Sequence, residues 1–109
     1  DLEDVAYFVK EESHEVVSPH AFSLILKNPK SRYHNLYSFL ETNGIQCKRN
    51  FGSMPTQHGA FEYLGHKLGE FPEAEYVGDN GLHFGIHQFL SMDDLDYTSD
   101  KLHEYFKGK

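Results

Sequence analysis

The clearest apolar run in the chain lies between Ser18 and Leu26, where Ala21, Phe22, Leu24, Ile25 and Leu26 predict a buried strand. Asn28-Pro29 is a turn dipeptide and ends it. Ahead of this strand, residues 1–17 are acidic and weakly patterned, as in a linker or edge segment. Within them Val5, Phe8 and Val9 have the spacing of one short helical turn, with a short strand as the alternative. Further on, Tyr33, Leu36, Tyr37 and Leu40 recur at helical spacing and form one apolar stripe. Ser31 is placed to cap that helix, its hydroxyl accepting a backbone N–H left unpaired in the first turn. Gly44 supplies a left-handed stop. Ile45 to Phe51 reads as a second strand, after which Gly52, Pro55 and Gly59 predict a loop leading into a short helix over Ala60–Leu64.

Pro72 suits the first turn of another short helix, closed by Asn80-Gly81. Leu82, Phe84 and Ile86 alternate with His83, Gly85 and His87, the period of a strand with two different faces. Ser91 followed by Asp94 is a variant capping box, and Leu95, Thr98, Leu102 and Phe106 carry the last helix toward Gly108. This order predicts an α+β fold: a two-layer sandwich over residues 18–107, with a small three-stranded mixed sheet and helices on one face. A right-handed crossover through the first helix would make the first two strands parallel, with the third between them and antiparallel to both. The other sheet face is then bare and needs a cover, for which a second domain is the obvious candidate.

Composition narrows the function. A chain of 109 residues fits a single domain with a modest core, and 39% hydrophobic with 15% aromatic content is ample for a packed interior. A formal charge of −7 opposes nucleic-acid binding, which needs a basic face. No apolar run approaches the roughly 20 residues of a membrane span, and no signal peptide is visible. The single cysteine, Cys47, cannot form an intramolecular disulfide, which fits a reducing, cytoplasmic setting. Asp1 in place of an initiating methionine points to a fragment or a processed product.

The eight histidines raise the question of a metal. His83 and His87 have the spacing of a helical zinc pair, but on a strand they stand roughly 13 Å apart, too far for one ion. No metal site is expected. Cys47 lacks the base and electropositive pocket of a nucleophile, and no glycine-rich phosphate loop follows a strand and opens a helix. Lys48, Arg49 and Asn50 cluster at a strand end, before a loop containing Gly52, Ser53, Thr56, Gln57 and His58. Two cations and several donors there suit an anion or a sugar; the plainer reading is that the cations balance an acidic surface.

Taken in order, these segments resemble the small domain of the DegT-type family of sugar aminotransferases and dehydrases, from about Leu2 to Phe106. Ser18-Pro19-His20-Ala21-Phe22 is similar to the family's opening strand, where the dehydrase branch usually has Trp at the position of His20. Leu40-Glu41 followed by Gly44-Ile45 resembles its helix end, and Phe51, Gln57 and Ala60-Phe61 its next loop. Gly69-Glu70-Phe71-Pro72-Glu73-Ala74-Glu75 is similar to the Gly-x-Phe/Leu-Pro-x-Ala/Thr-Glu/Asp segment, Gly85-Ile86-His87 to the third strand, and Ser91–Tyr97 to the closing helix. Two departures stand out: dehydrase relatives commonly carry Arg where Lys48 stands and Asn near Met54.

The resemblance implies the C-terminal domain of an aspartate-aminotransferase-like enzyme, inactive alone. Its partners would be an N-terminal cofactor domain of the same chain and a second subunit in a homodimer. Pyridoxal or pyridoxamine phosphate would be held by the missing domain and none by this one. The reaction would be transamination or 3-dehydration of a nucleotide-linked keto-deoxy sugar. No catalytic residue is expected in these 109 residues; Lys48, Arg49, Gln57, His58 and His87 are the expected substrate contacts. Two rival classes are a stand-alone module that docks a protein partner on the bare sheet face, and a small hydrolase, for which no carboxylate pair is placed by a clear motif.

Overall fold

The computed structural model describes residues 1–28, 31–50 and 56–107. In chain order the elements are β1 (Ala6–Phe8), β2 (Ala21–Leu26), α1 (Ser31–Thr42), β3 (Cys47–Arg49), a 3-10 helix (Gly59–Leu64), α2 (Pro72–Asn80), β4 (Gly81–Gly85) and α3 (Met92–Lys107). The cap expected of the Ser31 side chain, and the loop positions Phe51 to Pro55, lie outside the described residues.

The strands form one sheet in the order β1-β2-β4-β3, and every neighbouring pair is antiparallel. This corrects the expected three-stranded mixed sheet in two respects. First, β1 adds a fourth strand: Ala6, Tyr7 and Phe8 pair with Leu26, Ile25 and Leu24. Those residues form a short strand, the alternative kept beside the helical turn that the spacing of Val5, Phe8 and Val9 suggested; three residues are too few for either period to declare itself. Second, β2 and β3 run in the same direction with β4 between them and antiparallel to both, as expected, but every ladder is then antiparallel and the sheet is not mixed.

Strand alternation decides where the core sits. Leu24, Leu26, Leu82 and Cys47 project from one face and are buried together with Leu36 and Leu40 of α1 and Leu102 and Tyr105 of α3. Burying each of these leucines is worth about 1.5–3 kcal/mol, so this face carries most of the packing energy. Tyr37, also in the predicted stripe, stays at the surface.

Helix ends follow local chemistry. Gly44 takes φ +78, its N–H donates to Glu41 O, and the Ile45 N–H donates to Leu40 O, which closes α1. Before α3, the Asp94 N–H donates to Ser91 Oγ at 3.1 Å while the Ser91 N–H donates to Asp94 Oδ2 at 2.9 Å. Pro72 opens α2, which lies beside the end of the sheet where the Tyr76 hydroxyl donates to Leu26 O. No described helix is long and apolar enough to cross a membrane.

Candidate functional site

Adjacent residues on a strand face opposite ways, and β3 shows the consequence. Arg49 pairs with Leu82, whose side chain is in the core, whereas Lys48 pairs with His83, which in turn pairs with Ser23 of β2. The two cations that look like one cluster in the sequence therefore stand on opposite faces.

On the face away from the core, polar groups are tied together. Asn50, just past β3, donates from Nδ2 to Ser23 Oγ at 2.7 Å, and its Oδ1 lies 3.2 Å from His83 Nδ1. With that oxygen as acceptor, His83 donates from Nδ1, which leaves Nε2 as the acceptor of the neutral ring. The His20 ring lies 6.1 Å from the His83 ring, and Lys48 is exposed beside them, with no ion pair among the described residues. Gly81 makes room for this arrangement, since a Cβ there would sit 2.6 Å from Asn50 Nδ2. The result is a band of donors, acceptors and one cation across an otherwise bare sheet face.

On the core side, Arg49 reaches α2. Its Nε–H donates to Gly78 O at 3.0 Å, its Nη2 lies 3.7 Å from Asp79 Oδ1, and its guanidinium stands over the Tyr33 ring, 5.6 Å from the centroid. Gln57 Nε2 donates to the same Asp79 oxygen at 3.1 Å and to Glu75 O at 3.1 Å. Burial pushes the Tyr33 hydroxyl above its ordinary pKa, with the Arg49 charge pulling the other way.

Of the five expected contacts, Arg49 and Gln57 are thus brought together through Asp79, and Lys48 is not with them. His58 Nδ1 accepts the Ala60 N–H at 3.2 Å and caps the 3-10 helix. His87 Nδ1 accepts the Phe89 N–H at 3.2 Å, past the far end of β4. There it lines a groove of about 860 Å³ between Phe8, Phe22 and Phe84 of the sheet and Leu95 and Leu102 of α3. Sequence reasoning grouped Asn50 with the two cations but missed its partners His83 and Ser23. The alternation around His83 was a signal for its face; the register that brings Ser23 alongside was not written locally.

Cys47 is buried, and burial first, then the Glu41 charge and its hydrogen bond, push the thiol up to about 11. It is a packing residue. Among the described residues no group of three or more His, Cys, Asp or Glu side chains could hold a metal ion. None of the described lysines is buried, so none of them stands in the enclosed setting of a Schiff-base lysine.

No protein-family model matches the sequence, and no curated protein matches it. Solved structures do match the fold. A DegT/DnrJ/EryC1/StrS aminotransferase of Brucella abortus superposes with a TM-score of 0.77 over 95% of this chain and 27% of its own, at 18% identity. The PMP form of a Streptococcus pneumoniae protein assigned as a sugar aminotransferase gives 0.76 over 88% and 24%, also at 18% identity. The Escherichia coli GDP-4-keto-6-deoxy-D-mannose-3-dehydratase with bound hydrated PLP gives 0.73 over 93% and 27%, at 24% identity. The chain therefore shares its fold with a segment about a quarter of the length of these three chains.

Proposed function

We propose that this chain is the C-terminal small domain of a cytoplasmic enzyme that uses pyridoxal or pyridoxamine phosphate on a nucleotide-linked keto-deoxy sugar, as an aminotransferase or a 3-dehydrase. The observation that carries the reading is the superposition on three sugar enzymes over 88–95% of the chain, with the unmatched three quarters of those proteins left to supply the cofactor site. In this reading an N-terminal domain of the same polypeptide holds the cofactor, the enzyme is a homodimer, and the covalent chemistry belongs to the cofactor. The small domain supplies walls and polar contacts.

The open sheet face is the surface suited to that role. Lys48 offers a point charge to the substrate's phosphates, without the two-pronged grip of an arginine. Asn50 holds His83 beside it, so the imidazole is oriented before a ligand arrives. Away from that face, His58 and His87 each use Nδ1 as an acceptor, so in the neutral form each carries its proton on Nε2 and offers a donor.

The test is to purify the gene product that carries this chain, measure bound cofactor by its absorbance and assay nucleotide-linked keto-deoxy sugars. The expected result is a cofactor-binding enzyme in which Lys48→Ala raises KM about tenfold with cofactor occupancy unchanged. A gene product that binds neither form of the cofactor would sink the reading.

A further inference from the structure

We infer that Arg49 forms an oxyanion-binding position of its own, for a phosphate group, on the core side of the sheet and apart from Lys48. The inference does not depend on the proposed reaction. Arginine has five N–H donors in a fixed fork. Arg49 uses Nε–H on the Gly78 carbonyl and one flat side on Tyr33, a residue that is itself buried and so makes a fixed floor. Its other N–H groups donate no hydrogen bond among the described residues, and the side chain is 49% exposed.

Asp79 is the group that could occupy the fork internally, and its geometry shows that it does not close it. Its oxygen is 3.7 Å from Nη2, beyond the roughly 2.7–2.9 Å of a charge-assisted hydrogen bond, and the same oxygen already accepts from Gln57. Asp79 therefore helps to orient the guanidinium without saturating it. The surround is closely built: a Cβ on Gly78 would lie 2.2 Å from Gln57 Oε1, so glycine is what lets Gln57 lie along α2 and bond both Glu75 O and Asp79. An arginine held at Nε and along one face has little side-chain freedom left to lose, which favours capture of a planar or tetrahedral oxyanion. Because the whole chain carries −7, attraction must come from this local fork, and binding should be modest and weakened by salt.

The experiment is a titration of the 15N-labelled 109-residue chain with inorganic phosphate, following the Arg49 Nε–Hε signal. A saturating shift is expected. Arg49→Lys should weaken phosphate binding by about tenfold, because lysine keeps the charge and loses the fork. Asp79→Asn, which removes the competing charge, should tighten it by about threefold or more. Repeating the titration with uridine diphosphate separates two sources of the same chemistry. Tighter Arg49-dependent binding points to a phosphorylated organic ligand, and equal binding to free phosphate. A non-saturating shift, or Arg49→Lys binding phosphate as the parent does with a well-dispersed spectrum, would overturn the inference and leave Arg49 as a tie between β3 and α2. Should Arg49→Lys lose the fold, Asp79→Asn decides alone, and unchanged or weaker binding overturns it.

Discussion

The two faces of the sheet are made from the same four strands, taken at alternate residues, and they do opposite work. One face sets Leu24, Leu26, Leu82 and Cys47 against α1 and α3, and these four side chains are closed to solvent. The other sets Ser23, His83 and Lys48 side by side, joined through Asn50, and contributes none of its side chains to the buried core. Packing is concentrated on the first, with Arg49 at its edge, and the Asn50-centred polar band lies on the second. A strand that must serve both cannot read as a continuous apolar run, which is why Leu82-His83-Phe84 alternates.

The sharpest way to break this comparison is to truncate one residue on each face of β4. Leu82→Ala should cost about 2–5 kcal/mol in urea unfolding, because a fully buried side chain leaves a cavity. His83→Ala, its neighbour, should cost about 1 kcal/mol or less, since it loses a single part-buried hydrogen bond. Similar losses at both positions would mean that the faces are not distinct.

Next in size is Gly81→Ala, where the new Cβ would meet the Val77 carbonyl and Asn50 Nδ2, each at 2.6 Å. A loss of about 1–3 kcal/mol in thermal unfolding is expected, together with a shift of the His83 resonances as Asn50 moves. A change in stability without that shift would separate Asn50 from the open face. Smaller again is the α3 cap: Ser91→Ala should cost about 1 kcal/mol. The Ser91 backbone N–H, and then its hydroxyl, hold the Asp94 carboxyl below its ordinary 3.8. A depressed folded value means the bond stabilises above the unfolded pKa and is lost as pH falls through the folded one. Asp94→Asn should therefore flatten the acid limb of the stability curve and leave its neutral part nearly level.

How much of this was legible in the sequence depended on the range of the interaction. The local devices were plain: Gly44 stops α1, Pro72 opens α2, and Ser91 with Asp94 caps α3. Even the Gly69-to-Glu75 segment has a local cause. The Glu75 carboxylate accepts the Gly69 N–H at 2.8 Å and the Phe71 N–H at 3.1 Å, while Gly69 takes φ +100. The nonlocal facts were not plain. The strand β1 is three residues long and exists only through its pairing with β2. Lys48 and Arg49 looked like one cationic cluster because proximity along the chain was weighed above strand alternation. The hub role of Asn50 depends on the register of three strands, which no short motif records.

The central claim is that β3 turns Cys47 inward and Lys48 outward, so that neighbouring residues of one strand serve the core and the open face. The direct test is alkylation of a Lys48→Cys variant of the native chain at mildly alkaline pH, with the two thiols resolved by mass spectrometry. The introduced thiol should react at the rate of an exposed cysteine. Cys47, buried and with its pKa pushed up to about 11, should react about a thousandfold more slowly until the chain is unfolded. Equal rates at the two neighbours, or faster reaction at Cys47, would contradict the two-faced sheet on which the account rests.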